Sequence, residues 1–252
     1  MTIKVGVQHC VNKTPTVIIT GASSGIGKAQ AVAFLNHGAF VIVIDKAPIS
    51  IEHQNILKIT ADISQKAEVD KLFEIVAEKF SQIDVLCNTA GILDEFKNIE
   101  NTDIELWDKV INTNVRSMFL ITKAFIPLLL KAPSSRIINM ASIAGLTTAG
   151  GGIAYTVSKH AVIGFTKQLA YEYQGKNIRI NGIAPGAIRT KMTEPDFAQE
   201  AELARWVQNE TPIKRWAEPA EVANLTLFLA SDQADYMHGT ILTMDGGWTI
   251  KG

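Results

Sequence analysis

Cysteine is scarce in this 252-residue sequence: only Cys10 and Cys87 occur, and neither belongs to a CxxC pair. The five histidines show no ligand spacing with one another or with the cysteines. We therefore expect neither a disulfide framework nor a zinc site, and no other bound metal. A reduced, cytoplasmic setting is the simplest interpretation of this cysteine usage.

Blocks of like charge and long apolar runs are also missing. The formal net charge is -1, and Lys and Arg are spread along the chain, so we expect no binding to nucleic acid or to an anionic membrane. The longest apolar stretch in a helical context, Phe125 to Leu130, contains Pro127 and is too short to cross a bilayer. The segment from Met1 to Pro15 has no apolar core of signal-peptide length, so we expect no secretory leader.

Short β-branched runs alternate with helical patterns along the chain. Continuous apolar strands separated by helices indicate a parallel sheet that is covered on both faces, and right-handed crossovers make such a sheet doubly wound. The sequence thus predicts an α/β protein with a Rossmann-type, doubly wound parallel sheet of about seven strands. Strands are predicted at 16–20, 40–44, 56–60, 84–87, 136–140, 178–183 and 240–244, and helices at 25–37, 66–80, 102–130, 154–173 and 219–230.

No repeat, low-complexity tract or linker divides the chain, so residues 1–252 are predicted to form a single dinucleotide-binding and catalytic domain. The regular alternation pauses between Thr190 and Trp216, where an extra helix is predicted at about 196–209. Because this insertion follows the carboxyl end of a strand, we expect it to form a small lid, at about 191–215, over a ligand crevice. A partly apolar lid is indicated by Phe197, Leu203, Trp206 and Val207.

A glycine-rich turn, Gly21-Ala-Ser-Ser-Gly25-Ile-Gly27, follows the first predicted strand and opens the first helix. Glycine permits a tight turn and a close approach of the backbone to a pyrophosphate, which the helix N-terminus attracts. The spacing is GxxxGxG rather than GxGxxG, and an ordinary turn is the alternative. The position directly after the first strand favours a dinucleotide site, with contacts from Gly21, Ser23, Ser24, Gly25, Ile26 and Gly27.

Asp45 ends the second predicted strand. A carboxylate there can accept hydrogen bonds from the adenosine ribose hydroxyls, and it would repel the 2′-phosphate of NADP. No Lys or Arg occurs at positions 22–24 to counter it, although Lys46 is adjacent. NAD is therefore the predicted cofactor, and NADP is the less favoured one.

Two further segments follow predicted strands. Asp62, with Ile63, could meet the adenine, although an Asp that precedes a helix can also serve as its N-cap. In Asn88-Thr-Ala-Gly91, the small Ala90 and Gly91 would let the chain pass close to a cofactor, while Asn88 would tie neighbouring strands together. A plain turn is the alternative for this second segment.

Tyr155 and Lys159 are four residues apart on a predicted helix and therefore share one of its faces. A positive charge about 4 Å from a phenol is worth roughly 4 kcal/mol at an effective dielectric of about 20, enough to bring the phenol pKa near 7. An amphipathic surface pair is the alternative. A catalytic site is favoured by Ser142, at the carboxyl end of a strand, and by Asn114, a polar residue inside a long apolar helix pattern.

Together, in this order, these motifs resemble the short-chain dehydrogenase/reductase family over almost the whole chain, from Thr20 to Trp248. The motifs are Thr20-Gly-Ala-Ser-Ser-Gly-Ile-Gly27, Asn88-Thr-Ala-Gly91, Asn114, Ser142, Tyr155-Thr-Val-Ser-Lys159 and Asn181-Gly-Ile-Ala-Pro-Gly186. One departure is Thr89, which stands where the family frequently has a second Asn.

The resemblance implies a role for each residue of the site. Tyr155 would be the acid/base, and Lys159 would lower its pKa and bind the nicotinamide ribose. Ser142 would hydrogen-bond the substrate oxygen, and Asn114 would hold a water in a proton relay. The nicotinamide would be lined by Pro185, Gly186, Ile188 and Thr190.

The predicted function is NAD(H)-dependent interconversion of a secondary alcohol and a ketone, a small-molecule substrate, by hydride transfer. One alternative is an NADPH-dependent 3-oxoacyl-thioester reductase that meets an acidic carrier protein through Arg116, Lys214 or Arg215. A cyclic dihydrodiol dehydrogenase is a second, suggested by the short segment 45–56. A non-catalytic cofactor sensor is a third, disfavoured by the complete set of catalytic residues. Family resemblance and the apolar helix faces of 102–130 and 154–173 imply a homotetramer, with a dimer as the alternative.

Overall fold

The computed structural model describes residues 14–148, 150–197 and 201–251. Cys10 and His9 lie outside the described residues, as do positions 198–200 of the predicted lid helix. Seven strands form one sheet in which every neighbouring pair is parallel. The strands are β1 Thr16–Thr20, β2 Phe40–Asp45, β3 Ile56–Thr60, β4 Val85–Asn88, β5 Ser135–Met140, β6 Ile178–Pro185 and β7 Ile241–Met244.

The strand order β3-β2-β1-β4-β5-β6-β7 confirms the doubly wound, Rossmann-type sheet. From β1 the chain winds outward to β2 and β3, then returns to place β4 on the other side of β1. Loops at the carboxyl ends of β1 and β4 therefore diverge and leave a crevice between them, which is where ligands bind in sheets of this kind.

Two helical layers cover the sheet. The helices are α1 Gly25–Asn36, α2 Lys66–Lys79, α3 Ile104–Ile111, α4 Ser117–Leu129, α5 Ile153–Glu172, α6 Glu202–Glu210 and α7 Pro219–Ala230. On one face, Phe34 and Leu35 of α1 and Val222 and Leu229 of α7 pack on the valines of β1 and β2. The other face is covered by α2, α4 and α5, with Phe125 of α4 fully buried.

The helix predicted over 102–130 is divided into α3 and α4 by a π-helical turn, Asn112–Arg116. π-Helical turns occur mostly as single insertions in α-helices and often at functional sites. Asn114 lies at the centre of this turn and is 1% exposed. The wider turn carries this polar side chain into the interior, which explains an amide in an otherwise apolar helix pattern.

The helix expected at about 196–209 in the insertion after β6 is found in part. The described residues include a 3₁₀ turn, Glu194–Phe197, and α6, Glu202–Glu210. The two ends of the insertion are joined by a parallel bridge between Ile188 and Ala217. The Nε1 of Trp216 donates to the carbonyl of Ala204, 2.9 Å away, which ties α6 to the base of the insertion.

Neither a membrane-spanning helix nor a metal cluster is found within residues 14–148, 150–197 and 201–251. None of the helices in the described ranges is long and apolar enough to cross a membrane. Within the same ranges, no group of three or more His, Cys, Asp or Glu side chains is arranged to hold a metal ion. Burial in β4 raises the pKa of the Cys87 thiol, so this cysteine stays protonated.

Candidate active site

A cavity of about 810 Å³ opens at the carboxyl edge of the sheet. Residues that follow β1 to β6 line it, together with residues of α5, of the insertion and of the C-terminal segment. All but two of the site residues predicted from the sequence line this cavity. Those that do are Gly21, Ser23, Ser24, Gly25, Ile26, Gly27, Asp45, Asp62, Ile63, Ala90, Gly91, Ser142, Tyr155, Lys159, Pro185, Gly186, Ile188 and Thr190.

The glycine-rich turn is packed too tightly for side chains at two of its positions. A Cβ on Gly27 would lie 2.2 Å from the carbonyl oxygen of Gly21. Gly21 has a φ of +73°, and a Cβ there would lie 2.8 Å from the Cα of Ala90. Ser24, the N-cap of α1, makes no capping hydrogen bond through its side chain. Gly25, Ile26 and Gly27, in the first turn of α1, line the cavity, and the Ser24 side chain does not bind their backbone amides. These amides can therefore donate hydrogen bonds to a pyrophosphate.

Asp45 is fixed at the cavity wall by two backbone amides. Its Oδ2 accepts a hydrogen bond from the N–H of Ser23, 3.0 Å away, and its Oδ1 accepts one from the N–H of Ala47, 2.9 Å away. These bonds hold the carboxylate against the glycine-rich turn. Lys46 also lines the cavity, but its side chain is exposed to solvent.

Asp62 lines the cavity at the end of β3 and does not cap α2. Its Oδ1 accepts from both the N–H and the hydroxyl of Ser64, 3.0 and 2.7 Å away. The N-cap of α2 is Gln65. These contacts leave Asp62 available for the adenine contact expected from the sequence, which stays a prediction.

Asn88 lies behind the cavity wall and joins three elements. Its Nδ2 donates to Thr122 of α4 at 3.0 Å and to Asn139 of β5 at 2.9 Å. This is the strand-tying role expected from the sequence, and a direct cofactor contact by Asn88 stays a prediction. The neighbouring Thr89 stands where the family frequently has a second Asn. Its hydroxyl donates to the side-chain oxygen of Gln30 in α1, 2.6 Å away.

Ser142, Tyr155 and Lys159 converge at the centre of the cavity. Their exposed fractions are 8%, 8% and 5%. The Nζ of Lys159 lies 5.5 Å from the centre of the Tyr155 ring and donates to the carbonyl of Met140, 2.8 Å away. The Oγ of Ser142 accepts from the N–H of Ala144 at 3.1 Å, and the Ser142 hydroxyl also makes a side-chain hydrogen bond to Tyr155.

Asn114, the second predicted residue outside the cavity lining, supports this group from behind. Its carboxamide accepts from the N–H of Ile92 at 2.8 Å and donates to the carbonyl of the same residue at 3.0 Å. A second donation reaches Ser158 at 2.9 Å, and Ser158 in turn donates to the carbonyl of Tyr155 at 2.7 Å. Both amide protons of Asn114 are thus used, and the water-holding role implied by the resemblance stays a prediction.

The match to known proteins covers the same residues as this site. A family model described as enoyl-(acyl carrier protein) reductase matches residues 21–249. The chain belongs to the short-chain dehydrogenase/reductase family. It is therefore an oxidoreductase of CH–OH groups on a single-domain Rossmann fold that binds NAD or NADP.

Relatives in this family act on different substrates. The chain is 38% identical to a 3-oxoacyl-[acyl-carrier-protein] reductase of Thermotoga maritima, covering 92% of this chain and 97% of the relative. It is also 38% identical to a 2-(R)-hydroxypropyl-CoM dehydrogenase of Xanthobacter autotrophicus, with 92% and 97% covered.

Solved structures with this fold hold either cofactor. The structure of 4-hydroxyisoleucine dehydrogenase complexed with NADH has a TM-score of 0.88 at 32% identity, covering 95% of this chain and all (100%) of that one. The structure of ElxO with NADP bound has a TM-score of 0.88 at 29% identity, with the same coverage.

Burial sets the protonation of the two central groups in this short-chain dehydrogenase/reductase. It raises the pKa of Tyr155 to about 12, with an opposing contribution from Ser142 and a reinforcing one from Asp94. Burial also lowers the pKa of Lys159 to about 8. The pKa of Tyr155 is therefore raised by burial and not lowered toward 7 as expected from the sequence, and the Nζ of Lys159 donates to the carbonyl of Met140.

Two residues with direct contacts to the catalytic helix were missed by the sequence analysis. Asp94 is fully buried and accepts a hydrogen bond from the N–H of Tyr155 at 2.8 Å. Ser158 links Asn114 to the carbonyl of Tyr155. A signal for Asp94 was present, since it is a carboxylate three residues after the small-residue segment that ends at Gly91. Ser158 gives no such signal, because it is a hydroxyl residue between Tyr155 and Lys159 on the same helix.

The depressed pKa of Lys159 predicts a pH-dependent stability. Between pH about 8, its folded value, and 10.5, its ordinary value, the unfolded chain holds a proton that the folded protein has released. Stability conferred by this site therefore rises with pH across that window, by at most about 1.4 kcal/mol per pH unit.

Urea unfolding of the cofactor-free protein at pH 7.5, 8.5 and 9.5 tests this, with Lys159→Met as the reference. The difference in free energy of unfolding, wild type minus variant, should increase with pH. Tyr155 has a pKa of about 12 in the fold, and loss of a nearby positive charge would raise it further, so folded Tyr155 keeps its proton in both proteins at these pH values. A difference that stays constant or falls with pH would contradict the prediction.

Proposed function

We propose that the protein is an NAD(H)-dependent dehydrogenase that interconverts an uncharged, apolar secondary alcohol and the corresponding ketone. One observation carries the proposal: Ser142, Tyr155 and Lys159 converge, buried, in the same cavity as the glycine-rich turn and Asp45. A proton-transferring group and a cofactor cradle thus share one solvent-poor space.

The chemistry divides between cofactor and protein. A nicotinamide bound in this cavity would supply the hydride acceptor for oxidation of the alcohol and the hydride donor for reduction of the ketone. In oxidation, Tyr155 takes the proton of the alcohol hydroxyl, and in reduction it gives the proton back. Ser142 donates a hydrogen bond to the substrate oxygen. Lys159, with its ammonium 5.5 Å from the ring centre, stabilises the phenolate form of Tyr155.

The substrate end of the cavity is aromatic and apolar. Trp206 of α6 and Trp248 of the C-terminal segment meet edge to face, with ring centroids 5.9 Å apart. Trp216 also lines the cavity and stacks with Phe197 at 4.9 Å. Such walls favour an apolar substrate with a flat or cyclic skeleton. The same wall includes Leu93, Phe96, Met192, Leu203 and Val207.

A second candidate function, reduction of a 3-oxoacyl thioester, is favoured by the similarity to the Thermotoga maritima reductase. Two of the three candidate contacts for an acidic carrier protein are already engaged. Arg215 forms two hydrogen bonds to Glu221, at 2.7 and 2.8 Å, and the Nζ of Lys214 donates to the carbonyl of Asn209. The alcohol dehydrogenase is therefore the better-supported function.

Removal of the Tyr155 hydroxyl should abolish proton transfer and spare cofactor binding. Tyr155→Phe is expected to lower kcat by at least about 10²-fold, within the usual range for general acid–base catalysis. Absorbance at 340 nm with apolar cyclic alcohols and ketones measures turnover, and an acyl-carrier thioester tests the second candidate on the same assay. Titration of NAD into the variant supplies the control. Near-normal turnover by the variant would exclude Tyr155 as the acid/base.

Asp45 should make NAD the preferred cofactor. A carboxylate within about 4 Å of a phosphate with nearly two negative charges costs several kcal/mol at an effective dielectric of about 20. The exposed Lys46 offsets little of this, because solvated ion pairs contribute about 0 to 1 kcal/mol. We expect kcat/KM for NAD to exceed that for NADP by at least about tenfold, or roughly 1.4 kcal/mol.

Steady-state kinetics with both cofactors measures this ratio. Asp45→Ala should narrow the gap, and Lys46→Ala is the matched control that should leave NAD preferred. A wild-type enzyme that prefers NADPH would show that Asp45 does not discriminate and would make the acyl-thioester reductase the leading function.

The protein should assemble as a homotetramer through apolar helix faces. Phe119 of α4 and Val157 of α5 are 46% and 39% exposed in the single chain. Light scattering at micromolar concentration should give a tetramer, and Phe119→Glu should give a smaller species. Val32→Glu, an equally exposed position on α1 (40%), should leave the assembly intact. A monomeric wild type would rule the tetramer out.

A further inference from the structure

Asp94 is a buried carboxylate that the proposed chemistry does not use. It lies in the loop after β4 with no exposed surface (0%), yet no ion pair to it is found among the described residues. A buried charge is costly unless hydrogen bonds satisfy it. Three backbone amides do so here: those of Phe96 and Gly152 bind Oδ1 at 3.2 and 2.8 Å, and that of Tyr155 binds Oδ2 at 2.8 Å.

Two of these amides belong to the start of the catalytic helix. Gly152 is the N-cap of α5, and no side chain of its own can cap the helix. Asp94 supplies the missing acceptor from 58 positions earlier in the sequence. A negative charge at a helix N-terminus also interacts favourably with the helix dipole.

The loop and the helix start are in direct contact. The N–H of Ile153 donates to the carbonyl of Lys97, 3.1 Å away. A Cβ on Gly152 would lie 2.3 Å from that same carbonyl oxygen and 2.6 Å from Oδ2 of Asp94. Nothing larger than glycine fits between the two segments, so a displacement of the loop is passed to the first turn of α5.

We propose that Asp94 is a positioning residue, which fixes the first turn of α5, and with it Tyr155, to the loop that lines the substrate end of the cavity. Leu93 and Phe96, on either side of Asp94, both line the cavity. A substrate that packs on this loop is thereby placed at a set distance from the acid/base. The proposal rests on the proposed role of Tyr155 as that acid/base.

The charge of Asp94 affects the pKa of Tyr155, and this allows a test that does not depend on structure alone. Three groups face Tyr155: Asp94 from the loop after β4, Lys159 from α5 itself and the neutral Ser142 from the end of β5. Asp196 of the insertion lines the same cavity. The negative charge of Asp94 favours the protonated phenol. Its removal should therefore lower the pKa of Tyr155, while the lost hydrogen bond misplaces the ring.

Asp94→Asn tests both effects, because an amide keeps the shape and one acceptor but turns the other oxygen into a donor. We expect kcat for alcohol oxidation to fall about 10- to 100-fold, since a displacement of about 1 Å can cost that much. The KM for NAD should change less than about twofold, and the pH at which oxidation reaches half its maximal rate should decrease. Glu95→Gln removes the neighbouring exposed carboxylate, which pairs with Lys97, and should leave kcat and the pH profile unchanged.

The outcomes separate this proposal from the function on which it rests. If Tyr155→Phe is inactive but Asp94→Asn behaves like Glu95→Gln, the positioning role is wrong and the function stands. A kcat that falls only in proportion to the folded fraction, with an unchanged pH profile, also overturns it. If Asp94→Asn does not fold, Asp94→Glu decides: a reduced kcat with an unchanged pH midpoint supports positioning, and a wild-type kcat overturns it. An active Tyr155→Phe would instead remove the proposed function itself.

Discussion

The site depends on how the loop after β4 is held by buried hydrogen bonds from both halves of the fold. The hydroxyl of Thr20 accepts from the amides of Thr89 and Ala90, at 3.0 and 3.1 Å, which ties the loop to the cofactor half. Asn114 binds both the amide and the carbonyl of Ile92, which ties it to the helices behind the catalytic group. An unpaired buried amide costs about 1 to 3 kcal/mol, so each of these bonds restrains the loop to one conformation. The loop is thus bonded to residues on both sides of the cavity.

Exclusion of solvent from the same site governs its acid–base chemistry. Burial favours the neutral forms of both titrating groups, so the phenol keeps its proton and the ammonium loses its own more easily. The acid/base role proposed for Tyr155 would therefore depend on additional positive charge near the ring, which favours the phenolate. An oxidised nicotinamide would supply such a charge when bound.

The fold was largely predictable because its strands are continuous apolar runs. All seven predicted strands are found within one or two residues of their predicted ends. Five of them, β1, β2, β4, β5 and β6, are mostly buried, and a strand buried on both faces leaves a strong and local signal. The break in the helix predicted at 102–130 was not predicted, because a π-helical turn stabilised by contacts with Ile92 and Ser158 has no local pattern. Asp94 was missed for the same reason, since its partners in α5 lie 58 and 61 positions away. The pKa of Tyr155 could not be obtained from helical spacing, because burial is a property of the whole fold.

Cofactor choice shows where sequence and fold contribute separately. Structures that share this fold hold NADH in one protein and NADP in another, so the backbone alone does not decide between them. We propose that the choice depends on side chains at the end of β2, where Asp45 lies. The fold restrains this side chain, because the amides of Ser23 and Ala47 bind the two carboxylate oxygens of Asp45. These bonds limit rotation of the carboxylate away from a phosphate bound next to it. A solvated carboxylate could rotate away and relieve the repulsion at little cost. A carboxylate that is anchored by two charge-assisted hydrogen bonds must break at least one of them to rotate away, and this supports the proposed preference for NAD over NADP.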